Sequence, residues 1–221
     1  MKTQLIYNTR GQIYQFSVES MPEAAATKFK NYRTKTKLHL PFNGEWYVAA
    51  GGRGANNNHH VVSPDQRFAY DFVIRREGAT FKNGGTCNED YFCFSKQVFA
   101  PGNGVIKTVV NDVTDNVPGD MPENAGNYLV IDHGHNEFSI LAHFKHKSII
   151  VKEGESVVGG QLLGLCGNSG HSSEPHLHYH LQNGPVLFEG NGLPVQFKDF
   201  SANSKPIQSG EPSWDDYIRA E

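Results

Sequence analysis

The clearest alternation of polar and apolar side chains lies at residues 176–181, directly after a glycine-rich turn. In a β-strand, successive side chains point to opposite faces, so His176, His178 and His180 share one face and apolar side chains share the other. Burying three imidazoles in a closed core costs free energy unless they are hydrogen-bonded or bind a metal. The segment therefore predicts a strand that lines a metal-bearing cleft.

A second strand with an unusual polar position is predicted at residues 68–74. Large apolar side chains alternate there with Ala69, Asp71 and Val73. Because both faces are otherwise apolar, the strand is expected to be buried, and a lone carboxylate is costly in such a place. Asp71 is therefore a candidate functional residue.

The rest of the hydrophobic pattern favours short strands joined by turns. Strands are predicted at residues 5–7, 13–18, 37–40, 46–49, 98–110 with a turn at 100–104, 127–132 and 137–144. The first two form a hairpin, as do the last two, whose second strand carries His143. Pro22 and the alanines at 24–26 predict one short helix over residues 22–29.

These elements predict a mainly β fold in which a twisted antiparallel sheet or sandwich forms a groove. The loops at 51–66, 75–97 and 111–126 are expected to form its walls. We expect three parts along the chain, namely a β extension at 1–41 packed on the core, a main domain at 42–200 and a polar tail at 201–221. Trp214, Tyr217 and Ile218 are expected to pin that tail to the body.

Composition and charge narrow the classes of partner and compartment. A net charge of −3 argues against nucleic acid, whose partners usually carry a strongly basic face. Residues 1–20 hold no continuous apolar run, so neither a leader nor a membrane span is expected in this chain. Cys87 and Cys93 form a disulfide in an oxidising compartment or stay free, whereas Cys166 is expected to be a buried thiol.

Six sequence motifs together resemble the lysostaphin and LytM type of zinc metallopeptidases, which cut peptide bonds in bacterial peptidoglycan. They are Ala69-x-Asp71-Phe72, Val98-x-Ala100-Pro101-x-x-Gly104-x-Ile106, Val130-x-Asp132-His133-Gly134, Leu141-Ala-His143, Val151-x-x-Gly154-x-x-Val157-x-x-Gly160-Gln161-x-x-Gly164, and Gly167-Asn-Ser-Gly170 through Pro175-His-Leu-His178. The likeness spans residues 42–197 and implies a LytM-like fold of the duplicated-hybrid-motif type.

The resemblance also implies roles for five residues. His60, Asp71 and His178 would hold one Zn²⁺ per chain, and His143 and His176 would be catalytic histidines beside it. Three protein ligands leave one position of a tetrahedral zinc open for water, as in catalytic sites. The zinc-bound water would be the nucleophile.

The first zinc ligand departs from the common pattern of the family. In many members it lies four residues before the aspartate, and that position here is Arg67. The nearest upstream histidines are His59 and His60, and His60 is preferred because the surrounding sequence resembles a branch with a longer spacing. Adjacent residues of an extended chain face opposite ways, so only one of the two is expected to bind.

The resemblance implies a zinc-dependent endopeptidase that hydrolyses peptidoglycan cross-links or stem peptides outside the cytoplasm. The first alternative is a non-catalytic relative that binds peptidoglycan or regulates another hydrolase, but such relatives usually lose zinc ligands. The second is a phosphocarrier or lipoyl-type β-sandwich, because the stretches at 98–106 and 151–164 have a bend-rich rhythm. A lipoyl carrier needs an exposed acceptor lysine at a hairpin tip, which this sequence does not offer there.

Overall fold

The computed structural model describes residues 2–7, 13–19 and 22–221, and the described chain is mainly β. Its strands are β1 (Lys2–Tyr7), β2 (Ile13–Glu19), β3 (Glu45–Ala50), β4 (Tyr70–Val73), β5 (Gln97–Phe99), β6 (Gly104–Val110), β7 (Tyr128–Asp132), β8 (Phe138–Ala142), β9 (Ser156–Val157), β10 (Leu162–Leu165), β11 (Leu177–Gln182), β12 (Gly192–Leu193), β13 (Phe197–Ala202), β14 (Lys205–Gly210) and β15 (Tyr217–Ala220). Two short 3-10 turns lie at His59–Val62 and Asn88–Asp90.

Most strands join one large sheet, in the order β14-β13-β15-β3-β4-β11-β8-β7-β6-β9, with β12 paired to β11. All pairings between these strands are antiparallel. Strands β5 and β10 form a separate pair, as do β1 and β2. The fold class predicted from the sequence is confirmed, and so are both predicted hairpins, although the turn of the first lies outside the described residues.

The alternation in β11 sorts its side chains as the sequence predicts. Leu177, Tyr179 and Leu181 are fully buried in the main core. In the neighbouring strand β4, Tyr70 and Phe72 stack with ring centroids 5.4 Å apart. Burying one such side chain contributes roughly 1.5–3 kcal/mol, so the register of these central strands is strongly determined. The opposite face of β11 carries His178, His180 and Gln182, and the opposite face of β4 carries Asp71 beside the buried Val73.

The helix predicted at residues 22–29 is wrong. Residues 22–27 are irregular, and only a turn follows at 28–31. The backbone N–H of Ala25 donates to the Val61 carbonyl (2.7 Å), and the Ala25 carbonyl accepts from Arg67 Nε (3.2 Å). Because these contacts use the peptide groups that a helix would need, tertiary contacts override the helical propensity of the alanines.

The strand predicted at 37–40 is reduced to an isolated bridge between Leu38 and Phe197. At the other end of the chain, residues 201–221 supply the end of β13 and strands β14 and β15 to the large sheet. Ile218 is fully buried there, whereas Trp214 is 44% exposed. The division of the chain at residues 41 and 200 stays a prediction.

All three cysteines are free thiols, so Cys87 and Cys93 are not bridged. Cys93 is buried and its Sγ donates to the Pro175 carbonyl (2.9 Å), whereas Cys87 is exposed. Cys166 is buried, as predicted. Within the described parts of the chain, none of the helices has the length and apolar character needed to cross a membrane.

Candidate active site

Strand register brings the candidate site residues together from distant parts of the chain. Asp71 in β4 lies directly opposite His178 in β11, and His178 lies opposite Ala142 in β8. His143 follows immediately after β8. Side chains of directly opposed residues have Cβ atoms about 4.5–5.5 Å apart, so three neighbouring strands place a carboxylate and two imidazoles in one patch.

The Asp71 carboxylate is contacted by two imidazoles. Oδ1 lies 3.0 Å from Nδ1 of His178, and Oδ2 lies 2.9 Å from Nε2 of His60. His60 arrives on the 3-10 turn at 59–62, which Asn58 caps by accepting from the His60 backbone N–H (3.1 Å). The Asn58 side chain also donates to the Ala69 carbonyl (3.0 Å), which ties the turn to the chain just before Asp71.

His59 also points towards the same carboxylate. Its Nε2 lies 3.7 Å from Asp71 Oδ2, and the ligand atoms of His59, His60 and Asp71 all lie within 4.8 Å of one another. The expectation that the two histidines face opposite ways is wrong, because they belong to a 3-10 turn and not to a strand. The His59 side chain is 71% exposed, however, whereas those of His60 and His178 are 13% and 6% exposed and lie closer to the carboxylate. We therefore favour His60, Asp71 and His178 as the ligand set, which stays a prediction.

His143 and His176 are held in the same way by backbone carbonyls. Nδ1 of His143 lies 2.7 Å from the Ser169 carbonyl, and Nδ1 of His176 lies 2.8 Å from the Glu174 carbonyl. A carbonyl only accepts, so each Nδ1 carries a proton, and Nε2 is the nitrogen of each ring that can take up or release a proton. Nε2 of His176 lies 3.6 Å from Asp71 Oδ1, and the rings of His143 and His176 have centroids 4.6 Å apart.

The backbone of His143 is itself unusual, with a φ of 64° in the left-handed region. This conformation is uncommon for a residue with a side chain, and such residues cluster at functional sites. The ring is buried and directed towards the patch. The strained backbone therefore holds one candidate catalytic imidazole in a fixed direction.

Burial and neighbouring charges set the protonation of the patch. Burial raises the pKa of Asp71, but the neighbouring imidazoles of His60, His176 and His178 outweigh it and hold that pKa well below its ordinary value. Burial lowers the pKa of His178 to about 4. Burial, with the neighbouring His176 and His178, also lowers the pKa of His143 far below its ordinary value. At neutral pH, Asp71 is therefore ionised while His143 and His178 are neutral.

The patch forms the floor of a cleft of about 690 Å³. Its walls come from residues 59–66, 121–125, 171–174 and 187–188, so two of the three predicted wall loops line it. Contrary to expectation, the loop at 75–97 does not line the cleft. It contacts the wall segment at 171–174 and the residue that follows it. Thr80 Oγ1 donates to the Glu174 carboxylate (3.1 Å), and Cys93 donates to the residue that follows Glu174.

The donor set of the patch fits a zinc ion. Zinc in proteins prefers imidazole nitrogen, carboxylate oxygen and thiolate, and a catalytic site uses three such ligands. Here an ionised carboxylate and two imidazole nitrogens converge, and two further imidazoles flank them at the floor of an open cleft. This arrangement is typical of metal-dependent hydrolases.

Sequence reasoning missed Gln182, which is fully buried beyond His178 and His180. Nε2 of His178 lies 2.9 Å from Nδ1 of His180, whose Nε2 lies 3.3 Å from Gln182 Oε1. The signal was present in the sequence, because Gln182 continues the two-residue period of the three histidines.

Comparison with known proteins agrees with this class. The family described as "Peptidase family M23" matches residues 89–196, a range that includes His143, His176 and His178 but begins after Asp71. This match confirms the resemblance to lysostaphin and LytM-type peptidases that the motifs predicted.

Two curated relatives are peptidoglycan DD-endopeptidases of Vibrio cholerae serotype O1. ShyA is 31% identical over 162 residues, which cover 72% of this chain and 35% of the relative. ShyB is 39% identical over 192 residues, which cover 83% of this chain and 41% of the relative. This chain therefore spans less than half the length of either relative.

One solved structure, the M23 metalloprotease pseudoalterin from the deep sea, superposes with a TM-score of 0.46 and 16% identity. It covers 81% of this chain, and this chain covers 99% of it.

Proposed function

We infer that this protein is a zinc-dependent endopeptidase that hydrolyses peptide bonds in peptidoglycan. The observation that carries the inference is the convergence of His60 and His178 on the Asp71 carboxylate, next to the tautomerically fixed His143 and His176. The M23 domain and relatives named peptidoglycan DD-endopeptidases support the choice of reaction and substrate.

In this proposal, Nε2 of His60, the Asp71 carboxylate and Nδ1 of His178 hold one zinc ion per chain. When bound, zinc acts as a Lewis acid and lowers the pKa of water towards 7, so that a nucleophile is available at neutral pH. Asp71 contributes the negative charge of the ligand set. The strand pairing of β4 with β11 keeps the carboxylate and the His178 ring at a fixed separation.

His143 and His176 transfer protons and stabilise charge at their Nε2 atoms. Because each Nδ1–H is engaged by a carbonyl, only Nε2 is free to accept a proton from the attacking water. The resulting imidazolium then donates that proton to the leaving amine. The second imidazole, whose ring centroid lies 4.6 Å from that of the first, donates a hydrogen bond to the developing oxyanion when its Nε2 is protonated.

We propose that the cleft binds the peptide in an extended conformation. Asp71 and the histidines lie at its floor, and Val62 and Phe188 present apolar side chains on the walls, where they are 46% and 65% exposed. Peptidoglycan peptides are short, contain D-residues and lie outside the cytoplasm. We therefore propose an extracytoplasmic location, and the relatives named DD-endopeptidases support cross-links of the DD type as the substrate.

The proposal is tested by incubating the zinc-loaded protein with purified peptidoglycan and analysing the products by liquid chromatography and mass spectrometry. We expect cross-linked dimers to disappear and monomers with new amino termini to accumulate. Asp71→Asn serves as a metal-site control and His143→Ala as a catalytic control. Zinc-loaded protein that binds the wall without producing new termini would instead support the non-catalytic alternative.

A further inference from the structure

A row of buried polar side chains continues behind the proposed zinc ligand His178. His180 and Gln182 lie on the same face of β11 and are 1% and 0% exposed. His178 Nε2 contacts His180 Nδ1 (2.9 Å), and His180 Nε2 contacts Gln182 Oε1 (3.3 Å). Among the described hydrogen bonds, His178 is the link between the proposed metal site and the pair His180 and Gln182.

The orientation of the Gln182 amide is determined by its other contacts. Its Nε2 lies 2.7 Å from the Gly184 carbonyl and 2.9 Å from the Val186 carbonyl. Both carbonyls only accept, so a reversed amide would set oxygen against two oxygens. Gly190 packs against this amide so closely that an added Cβ would lie 2.8 Å from Gln182 Cδ. The oxygen Oε1 is therefore fixed towards His180.

This orientation determines the proton positions of both histidines in turn. Since Gln182 Oε1 accepts, Nε2 of His180 must carry a proton. His180 is buried between an imidazole and an amide, with no anion to balance a charge, so it is neutral and its Nδ1 is bare. Nδ1 of His180 then accepts, and the proton between the two rings lies on Nε2 of His178. The opposite assignment would leave two acceptors facing each other at His180 and Gln182.

The same reasoning leaves Nδ1 of a neutral His178 bare and directed at Asp71. A bare nitrogen and a carboxylate oxygen 3.0 Å apart repel each other unless a cation or a proton lies with them. We propose that His180 and Gln182 are positioning residues that hold the proton of His178 on Nε2, so that Nδ1 is available as a metal ligand. This proposal rests on the metal site proposed above.

The direct test is a long-range ¹H–¹⁵N correlation spectrum of the metal-free wild-type protein, which distinguishes protonated from bare imidazole nitrogens. We expect protonated Nε2 atoms on His178 and His180 and a bare Nδ1 on His180. A bare Nε2 on His178 would overturn the proposal. This measurement needs no variant and no zinc, so it separates the proposal from the assignment of the metal.

Zinc affinity of variants gives the second readout. His180→Leu removes the acceptor for Nε2–H of His178, and we expect a dissociation constant about 10–100 times higher. In His180→Asn, Oδ1 takes the place of Nδ1 and accepts the same proton, so affinity should stay near that of the wild type. Gly190→Ala displaces the Gln182 amide and should weaken binding in the same direction as His180→Leu. His146→Leu, at a surface position bonded to Asp112, is the matched control.

Equal weakening in His180→Leu and His180→Asn would indicate a purely structural role and overturn the proposal. An unchanged zinc affinity in His180→Leu would also overturn the proposal. A wild-type protein that binds no zinc but has Nε2–H on His178 would contradict the proposed function and leave the positioning role intact.

Discussion

Asp71 and His178 face each other across neighbouring antiparallel strands, with Oδ1 of the carboxylate 3.0 Å from Nδ1 of the imidazole. Residues 71 and 178 are far apart in sequence, and only the pairing of β4 with β11 joins them. The pairing is maintained by the apolar faces of the two strands, which pack into the core. The chemistry of the cleft thus depends directly on the register of the sheet.

Removing the carboxylate should remove the metal. Asp71→Ala leaves two neutral imidazoles without an anionic ligand, so we expect zinc content to fall from one ion per chain to near zero. Inductively coupled plasma mass spectrometry of the purified protein measures this content, and circular dichroism checks the fold. Zinc at full stoichiometry in the variant would show that Asp71 is not a ligand.

Removing His143 should separate catalysis from metal binding. His143 lies beside the ligand set, and its bare Nε2 is assigned to proton transfer, so His143→Ala should keep zinc and lose activity by about 10²–10⁴-fold. Zinc content and the rate of peptidoglycan cleavage are measured on the same preparation. Loss of the metal together with the activity would make His143 a ligand and contradict the assignment.

The two neighbouring histidines on the 3-10 turn should differ in their effect on zinc. His60 Nε2 is 2.9 Å from the carboxylate and its side chain is 13% exposed, whereas His59 Nε2 is 3.7 Å away on a side chain that is 71% exposed. We expect His60→Ala to abolish stoichiometric zinc binding and His59→Ala to leave the dissociation constant unchanged within error. Competition titration with a chromophoric chelator measures the zinc dissociation constants of both variants. Loss of zinc binding in His59→Ala but not in His60→Ala would make His59 the ligand.

Gly126 should affect catalysis through Ser169. It has a φ of +70°, and an added Cβ would collide with the Ser169 carbonyl oxygen, which holds Nδ1–H of His143. Gly126→Ala should therefore displace the His143 ring and lower the rate of cleavage while zinc is retained. Gly134→Ala is the matched control, because its φ of +76° gives similar backbone strain with nothing within 4 Å. Equal loss of activity in both variants would point to strain alone.

Glu137 should stabilise the protein in a manner that depends on pH. It is fully buried and accepts hydrogen bonds from the Tyr32 hydroxyl (2.9 Å) and the backbone N–H groups of Lys35 (2.6 Å) and Thr36 (2.8 Å). Burial raises the pKa of Glu137, but these hydrogen bonds outweigh it and hold the pKa below its ordinary value of 4.5. The contribution is therefore present above the ordinary pKa and is lost as pH falls through the folded-state pKa.

Glu137→Gln should accordingly lower the free energy of unfolding by about 1–3 kcal/mol at neutral pH, because one carboxylate oxygen is replaced by a donor that faces other donors. The difference from the wild type should shrink as the pH falls below 4.5. Urea denaturation at several pH values measures it. A difference that does not change with pH would exclude the carboxylate charge as its source.

Strand periodicity was sufficient to predict the central part of the fold and much of the site. The two-residue alternation placed His178 and His180 on the polar face of one strand, and it identified Asp71 as a lone carboxylate in a strand that is otherwise apolar on both faces. The hairpin that leads to His143 was equally clear. These features depend on side chains that are close in sequence.

Features that depend on distant contacts were not predictable in the same way. The alanines at 24–26 have high helical propensity, yet the Ala25 N–H donates to the Val61 carbonyl, and the segment is irregular. His59 and His60 point the same way because they lie on a 3-10 turn that Asn58 caps, and no periodic sequence pattern predicts such a turn. Strand β15 pairs with β3, which lies far away in the sequence.

The measurement that tests the account most directly is anomalous diffraction at the zinc edge from crystals of the zinc-loaded protein. We predict one peak per chain, in contact with Nε2 of His60, the Asp71 carboxylate and Nδ1 of His178, with His143 and His176 beside it. A zinc peak that contacts His59 but not His178, or the absence of a peak in this cleft, would contradict the proposed metal site.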